Sequence, residues 1–161
     1  MNISIRNATE NDAGAMWELI HELAIFERSG HEHTVGKGQL REDIKSGIFK
    51  AFVAEVAGEI AGMALLYPIY STWKGRSWYL EDIIVKEENR RMGIGTQLFE
   101  KVLEFSRDEK AGRLGWQVLN WNEPAIKMYQ KYNAVMDDEW ITCRLTQEQL
   151  HELAKIKNES I

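Results

Sequence analysis

Tyr79-Leu80-Glu81-Asp82-Ile83-Ile84-Val85 reads as a β-rich run, and shortly after it comes Arg90-Arg91-Met92-Gly93-Ile94-Gly95-Thr96, opening a stretch that carries Leu98, Val102 and Phe105 at helical spacing. Two glycines in a strand-to-helix turn are a weak signal alone, because many plain turns contain them. Their position gives them meaning. Glycine lets the backbone approach a ligand closely and turn its N–H groups toward one point, and a helix N-terminus adds about half a positive charge there. The segment Arg90, Arg91, Met92, Gly93, Ile94, Gly95 and Thr96 therefore predicts a pyrophosphate cradle, with the two arginines as charge partners and Thr96 as a hydroxyl donor.

Working outward, Ile3 and Ile5 alternate with polar neighbours as an opening strand does. Thr9 or Asn11 can cap a helix whose apolar face is Ala13, Met16, Leu19, Ile20 and Leu23. Residues 27–38 turn to Gly, His, Ser and Thr and read as a loop at a candidate substrate edge, and 39–46 as a short helix. Lys50 to Val56 and Glu59 to Tyr70, joined at Ala57-Gly58, predict an antiparallel hairpin, with Ser77 to Val85 as the next strand. Beyond the cradle the pattern predicts a helix over 96–111, a strand over 116–119, a helix opening at Pro124, a closing strand over 140–145 and a terminal helix over 147–157. Antiparallel strands come early and a strand, helix, strand unit late, which is an α/β (α+β) pattern in one domain spanning 1–161.

The 161 residues suffice to bury a core without disulfides or metal, and the 44% hydrophobic and 28% charged composition is that of an ordinary globular protein. A net charge of −5, with no Lys/Arg-rich block, gives no footprint for nucleic acid and suits a cationic substrate. Cys143 is the single cysteine, so neither an internal disulfide nor a zinc knuckle can form, and His21, His31, His33 and His151 are scattered; no metal is assigned. No stretch approaches membrane-spanning length, and a cytoplasmic protein is expected.

The cradle, the adjacent carboxylates Glu81 and Asp82, and the segment Trp121-Asn122-Glu123-Pro124 followed by Tyr129 together resemble the GNAT superfamily of acyl-CoA transferases. Its signature, Arg/Gln-x-x-Gly-x-Gly/Ala at the start of a helix, is matched by Arg90, Gly93 and Gly95. Over nearly the whole chain the sequence is similar to the diamine (spermidine/spermine) acetyltransferase family. Ser71-Thr72-Trp73-Lys74-Gly75-Arg76 resembles the branch that prefers thialysine, whereas polyamine enzymes commonly carry an aspartate where Ser71 stands.

The resemblance implies a GNAT domain with a central, mixed, mostly antiparallel sheet flanked by helices, acetyl-CoA as cosubstrate, a small-molecule amine as acceptor, and a homodimer. It implies that Ile83, Ile84 and Val85 offer backbone groups to the pantetheine arm, that Asn122 hydrogen-bonds the cosubstrate, and that Phe26, Glu27 and Glu139 contact the amine. Aliphatic amines have a pKa near ~10.4, so a carboxylate must receive a proton before attack. Glu81 is the candidate, with Asp82 assisting or binding the cationic substrate, although adjacent strand residues ordinarily face opposite sides. Tyr129, a phenol of ordinary pKa near ~10, is the candidate general acid for a thiolate whose conjugate thiol lies near ~8.5. A protein N-terminal or lysine acetyltransferase would need a groove for extended peptide, and a non-catalytic acyl-CoA-binding module could keep the cradle without Glu81, Asp82 and Tyr129.

Overall fold

The computed structural model describes residues 2–152, which fall into two compact units divided between Trp121 and Asn122. In the first, β1 (Ile3–Asn7) leads through a 3-10 turn into α1 (Ala13–Phe26), followed by α2 (Lys37–Ser46), β2 (Lys50–Val56), β3 (Glu59–Ser71), β4 (Gly75–Val85), α3 (Ile94–Asp108) and β5 (Leu114–Gly115). The strands form one sheet in chain order, antiparallel throughout except for the parallel pair β4–β5. That is the mixed, mostly antiparallel sheet expected.

Opposed residues in an antiparallel ladder share a face. Met63 and Leu65 lie opposite Ile84 and Asp82, and with Ala51 and Val53 they pack on Met16 and Leu19 of α1 and Leu40 of α2. The other face carries Phe52 and Trp78, both in edge-on contact with Phe105 of α3. Leu98, Phe99 and Val102 of that helix are fully buried, each a hydrophobic contribution of roughly 1.5–3 kcal/mol. α3 can lie this close because position 62 is glycine: a Cβ there would stand 2.8 Å from the Ile84 carbonyl oxygen and 3.3 Å from Leu98 Cδ1.

Several expected bounds differ. α2 begins at Lys37 and α3 at Ile94, each two residues before the predicted start, and α3 ends at Asp108. The strand expected over 116–119 is found at Leu114–Gly115 instead, while Trp116 turns its ring edge-on to Phe99 at 5.4 Å.

The second unit holds α4 (Glu123–Gln130), with Pro124 in its first turn and the Asn122 side chain accepting from the Ala125 N–H at 3.4 Å. The closing strand expected over 140–145 is irregular. Its Trp140 and Ile141 are exposed and no described strand pairs with it, so β propensity has no ladder to join. Residues 147–152 are helical, and the rest of the predicted terminal helix lies outside the described residues.

Candidate active site

The β3–β4 register carries the first structural fact about the site. Leu65 faces Asp82 and the next residue, Leu66, faces Leu80, so Glu81 is an extra residue in β4, a β-bulge. Trp78 and Leu80 belong to the α3 face, whereas Asp82 and Ile84 are opposed to Leu65 and Met63 on the α1 face. Tyr79 is opposed to Tyr67, so Tyr79, the bulged Glu81 and Asp82 all lie toward α1. The alternation that would separate two adjacent carboxylates is cancelled by one inserted residue.

Their electrostatics follow. Asp82 is half-buried; desolvation, then the charges of Glu81 and Glu27, push its carboxyl up to about 7. Glu27, the residue that ends α1, is raised by desolvation and by Glu81. The phenol of Tyr67 hydrogen-bonds to Glu81 and is pushed up to about 12, first by burial and then by that carboxylate's charge. Tyr79 is raised by the same two causes, and the two rings meet at 5.4 Å. Three carboxylates beside two phenols form an acidic cluster suited to an ammonium group. Tyr67 and Tyr79 were not singled out in the sequence, where only their place opposite each other in a hairpin could have marked them.

The β4–β5 ladder has only two pairs, Trp78 with Leu114 and Tyr79 with Gly115, and stops just before the bulge bends β4. From Leu80 to Val85 that edge of β4 has no strand neighbour among the described residues. Ile84 packs its side chain in the core, and the Val85 carbonyl accepts from Arg90 Nε at 3.2 Å.

The glycine turn follows. Arg91 and Gly93 both have left-handed backbones, φ 65° and 79°. The first internal bond of α3 runs from Gln97 N–H to the Gly93 carbonyl, so the N–H groups of Ile94, Gly95 and Thr96 have no intrahelical acceptor. The Ile94 side chain is buried, which leaves its backbone as the part that can meet a ligand. Arg90, Arg91 and Thr96 are exposed and Met92 is half-buried. A Cβ added at Gly93 would meet no protein atom within 4 Å. Free N–H donors, an open approach and two guanidinium groups fit the diphosphate of acetyl-CoA.

Arg90 also links this turn to the end of α1, its guanidinium 5.6 Å from the centre of the Phe26 ring. Phe26 in turn packs on Trp121 at 5.4 Å, and Arg28 stands over the same indole at 5.6 Å. The expected substrate residues Phe26 and Glu27 are thus next to both the acidic cluster and the cradle. Arg28 and Trp121 carried no assigned role in the sequence. In the second unit, Tyr129 is buried, and burial pushes its phenol up to about 12. Asn122 Oδ1 is engaged in capping α4, and Glu139 is exposed in the irregular segment, its N–H donating to Asp137. The histidines are less scattered than the sequence implied: His21 Nδ1 and His33 Nδ1 lie 3.3 Å apart, both rings against Trp17.

Residues 16–134 match the model of the acetyltransferase (GNAT) family. The chain is 36% identical to thialysine N-epsilon-acetyltransferase of Caenorhabditis elegans, covering 89% of this chain and 92% of that one. It is also 36% identical to the enzyme of that name from Mus musculus, over 93% and 96%. Its fold is similar to that of an aminoglycoside acetyltransferase from an uncultured soil metagenomic sample, with TM-score 0.74 and 23% identity over 91% of this chain and all of that one. With its bulged fourth strand, glycine turn and third helix, the chain belongs to the GNAT family of acetyltransferases.

Proposed function

We propose that the protein, acting as one acetyltransferase domain, transfers the acetyl group of acetyl-CoA to the primary amine of a small cationic molecule, with thialysine and lysine-like amino acids ahead of diamines and polyamines. The observation that carries this reading is the cluster of Glu27, Glu81 and Asp82 on one face, with Asp82 raised to about 7 beside the cradle-linked Phe26. Three carboxylates attract an ammonium group. A base near neutrality can then accept its proton, because it is deprotonated in part and still basic enough to take one. Burial, then the charges of Glu81 and Glu27, raise Asp82 and make it the better acceptor.

Acetyl-CoA supplies an activated thioester. Residues 90–96 hold its diphosphate through backbone N–H groups and arginine charge, the open edge of β4 offers backbone groups to its pantetheine arm, and Asn122 contributes an amide. The Tyr129 hydroxyl, protonated at neutral pH as a phenol ordinarily is, gives its proton to the departing sulfur. The names of the thialysine enzymes similar to this chain support that acceptor class. A cytoplasmic homodimer completes the reading; among the described residues no helix is long and apolar enough to cross a membrane.

The test is an acetylation screen of purified protein with acetyl-CoA over thialysine, lysine, ornithine, diamines, spermidine, spermine and an N-terminal peptide. Turnover is expected with the small amines, highest for thialysine. Turnover of the peptide alone, or cosubstrate binding without turnover, would overturn the proposal.

A further inference from the structure

Arg28 follows Glu27 in a left-handed backbone conformation, φ 61°, which side chains other than glycine adopt rarely. That turn sends its guanidinium over the exposed face of Trp121 while Glu27 stays coupled to Glu81 and Asp82. Among the described residues Arg28 has no ion-pair partner, unlike Arg6, held by Asp12 and Glu55, or Arg107, held by Asp108. An arginine on an aromatic floor, with its fork unclaimed by any carboxylate, is prepared for an incoming anion.

One wall of the site is therefore acidic, and the residue beside it is a cation without a counterion. A diamine has positive charge at both ends and gains nothing from Arg28. An amino acid with a terminal amine has an ammonium group for Glu27, Glu81 and Asp82 and a carboxylate at its other end. We propose that Arg28 binds the α-carboxylate of an amino-acid substrate and sets the preference for such a substrate over the corresponding diamine. This rests on the small-amine reading above. The competing destination for Arg28, a phosphate of acetyl-CoA, is less favoured because Arg90 and Arg91 already bring two guanidinium groups to the cradle itself.

The experiment compares two pairs that differ only by the carboxylate, lysine with cadaverine and ornithine with putrescine, using the wild type, Arg28→Gln and Arg28→Lys. The glutamine variant is expected to lose roughly tenfold or more in kcat/KM for both amino acids, mainly through KM, as for a lost charge-assisted contact. Both diamines should stay within about twofold, and calorimetric affinity for acetyl-CoA should be unchanged. The lysine variant, which keeps the charge without the fork, should recover part of the loss. Equal losses on amino acids and diamines, or weakened acetyl-CoA binding, would overturn the assignment while leaving the small-amine reading standing. If the wild type acetylates neither thialysine nor any of the four, the small-amine reading itself fails, and the failure is visible before any variant is made.

Discussion

Asp82 ionises near neutrality because three effects act in one direction: its burial, and the charges of Glu81 and Glu27. Such a carboxylate binds more protons folded than unfolded between its ordinary value, 3.8, and about 7. Folding stability therefore falls as pH rises through that window. Asp82→Asn removes the effect, so thermal melts at a series of pH values should show the wild type losing ground to the variant from about pH 4 to 7 and a constant difference above. Activity runs the other way, since a base works deprotonated: wild-type kcat/KM should rise through pH ~7. Glu81→Gln, by removing a like charge, should move that rise to lower pH. A melting series in which wild type and Asp82→Asn stay parallel would remove Asp82 from the acidic cluster. The carboxylates themselves were legible as residues; that both face α1 was not, because alternation argues against it and a bulge has no mark in sequence.

Among the elements, helices α1, α3 and α4 and the β2–β3 hairpin followed from apolar spacing, Pro124 and turn glycines, but the residue at the N-cap of α1 is Asp12 and neither Thr9 nor Asn11, because a 3-10 turn capped by Thr9 comes first. The failures came where a strand needs a partner rather than a pattern: 116–119 lost its ladder when β4 bent at Glu81, and 140–145 has β-prone residues without a neighbour. The β3–β4 connection also changes how Ser71 is understood. Its Oγ accepts from the N–H groups of Trp73 and Lys74, at 3.2 and 3.1 Å, so the side chain shapes the hairpin turn. Aspartate can accept the same two bonds and adds a charge. Ser71→Asp is thus expected to melt within a few degrees of wild type while raising the spermine-to-thialysine ratio of kcat/KM, by about tenfold if one carboxylate contact worth roughly 1.5 kcal/mol is gained. The two amines competing in one reaction give that ratio directly. An unchanged ratio would place Ser71 outside the substrate's reach.

At the scale of the molecule, the GNAT architecture was readable because the order of its elements and its glycine turn are both local signals, whereas the meeting of Phe26, Trp121, Arg28 and Arg90 depends on chain segments far apart in sequence. Oligomeric state is a property of the same scale. Val135, Trp140 and Ile141 are exposed within the second unit, apolar side chains open to the second copy of the proposed homodimer. Light scattering is expected to give twice the chain mass of 18.6 kDa, and a monomer at micromolar concentration would contradict the dimer. The edge of β4 over residues 80–85 that has no strand neighbour among the described residues has a further consequence for the protein in storage and in the cell. An open sheet margin is a template for another chain, and only Glu81 and Asp82 lie along it as charged gatekeepers, one of them close to neutral at pH 6. Acetyl-CoA bound along β4 as proposed would cover that margin, so colloidal stability is expected to be poorest when the cosubstrate is scarce and the medium mildly acid.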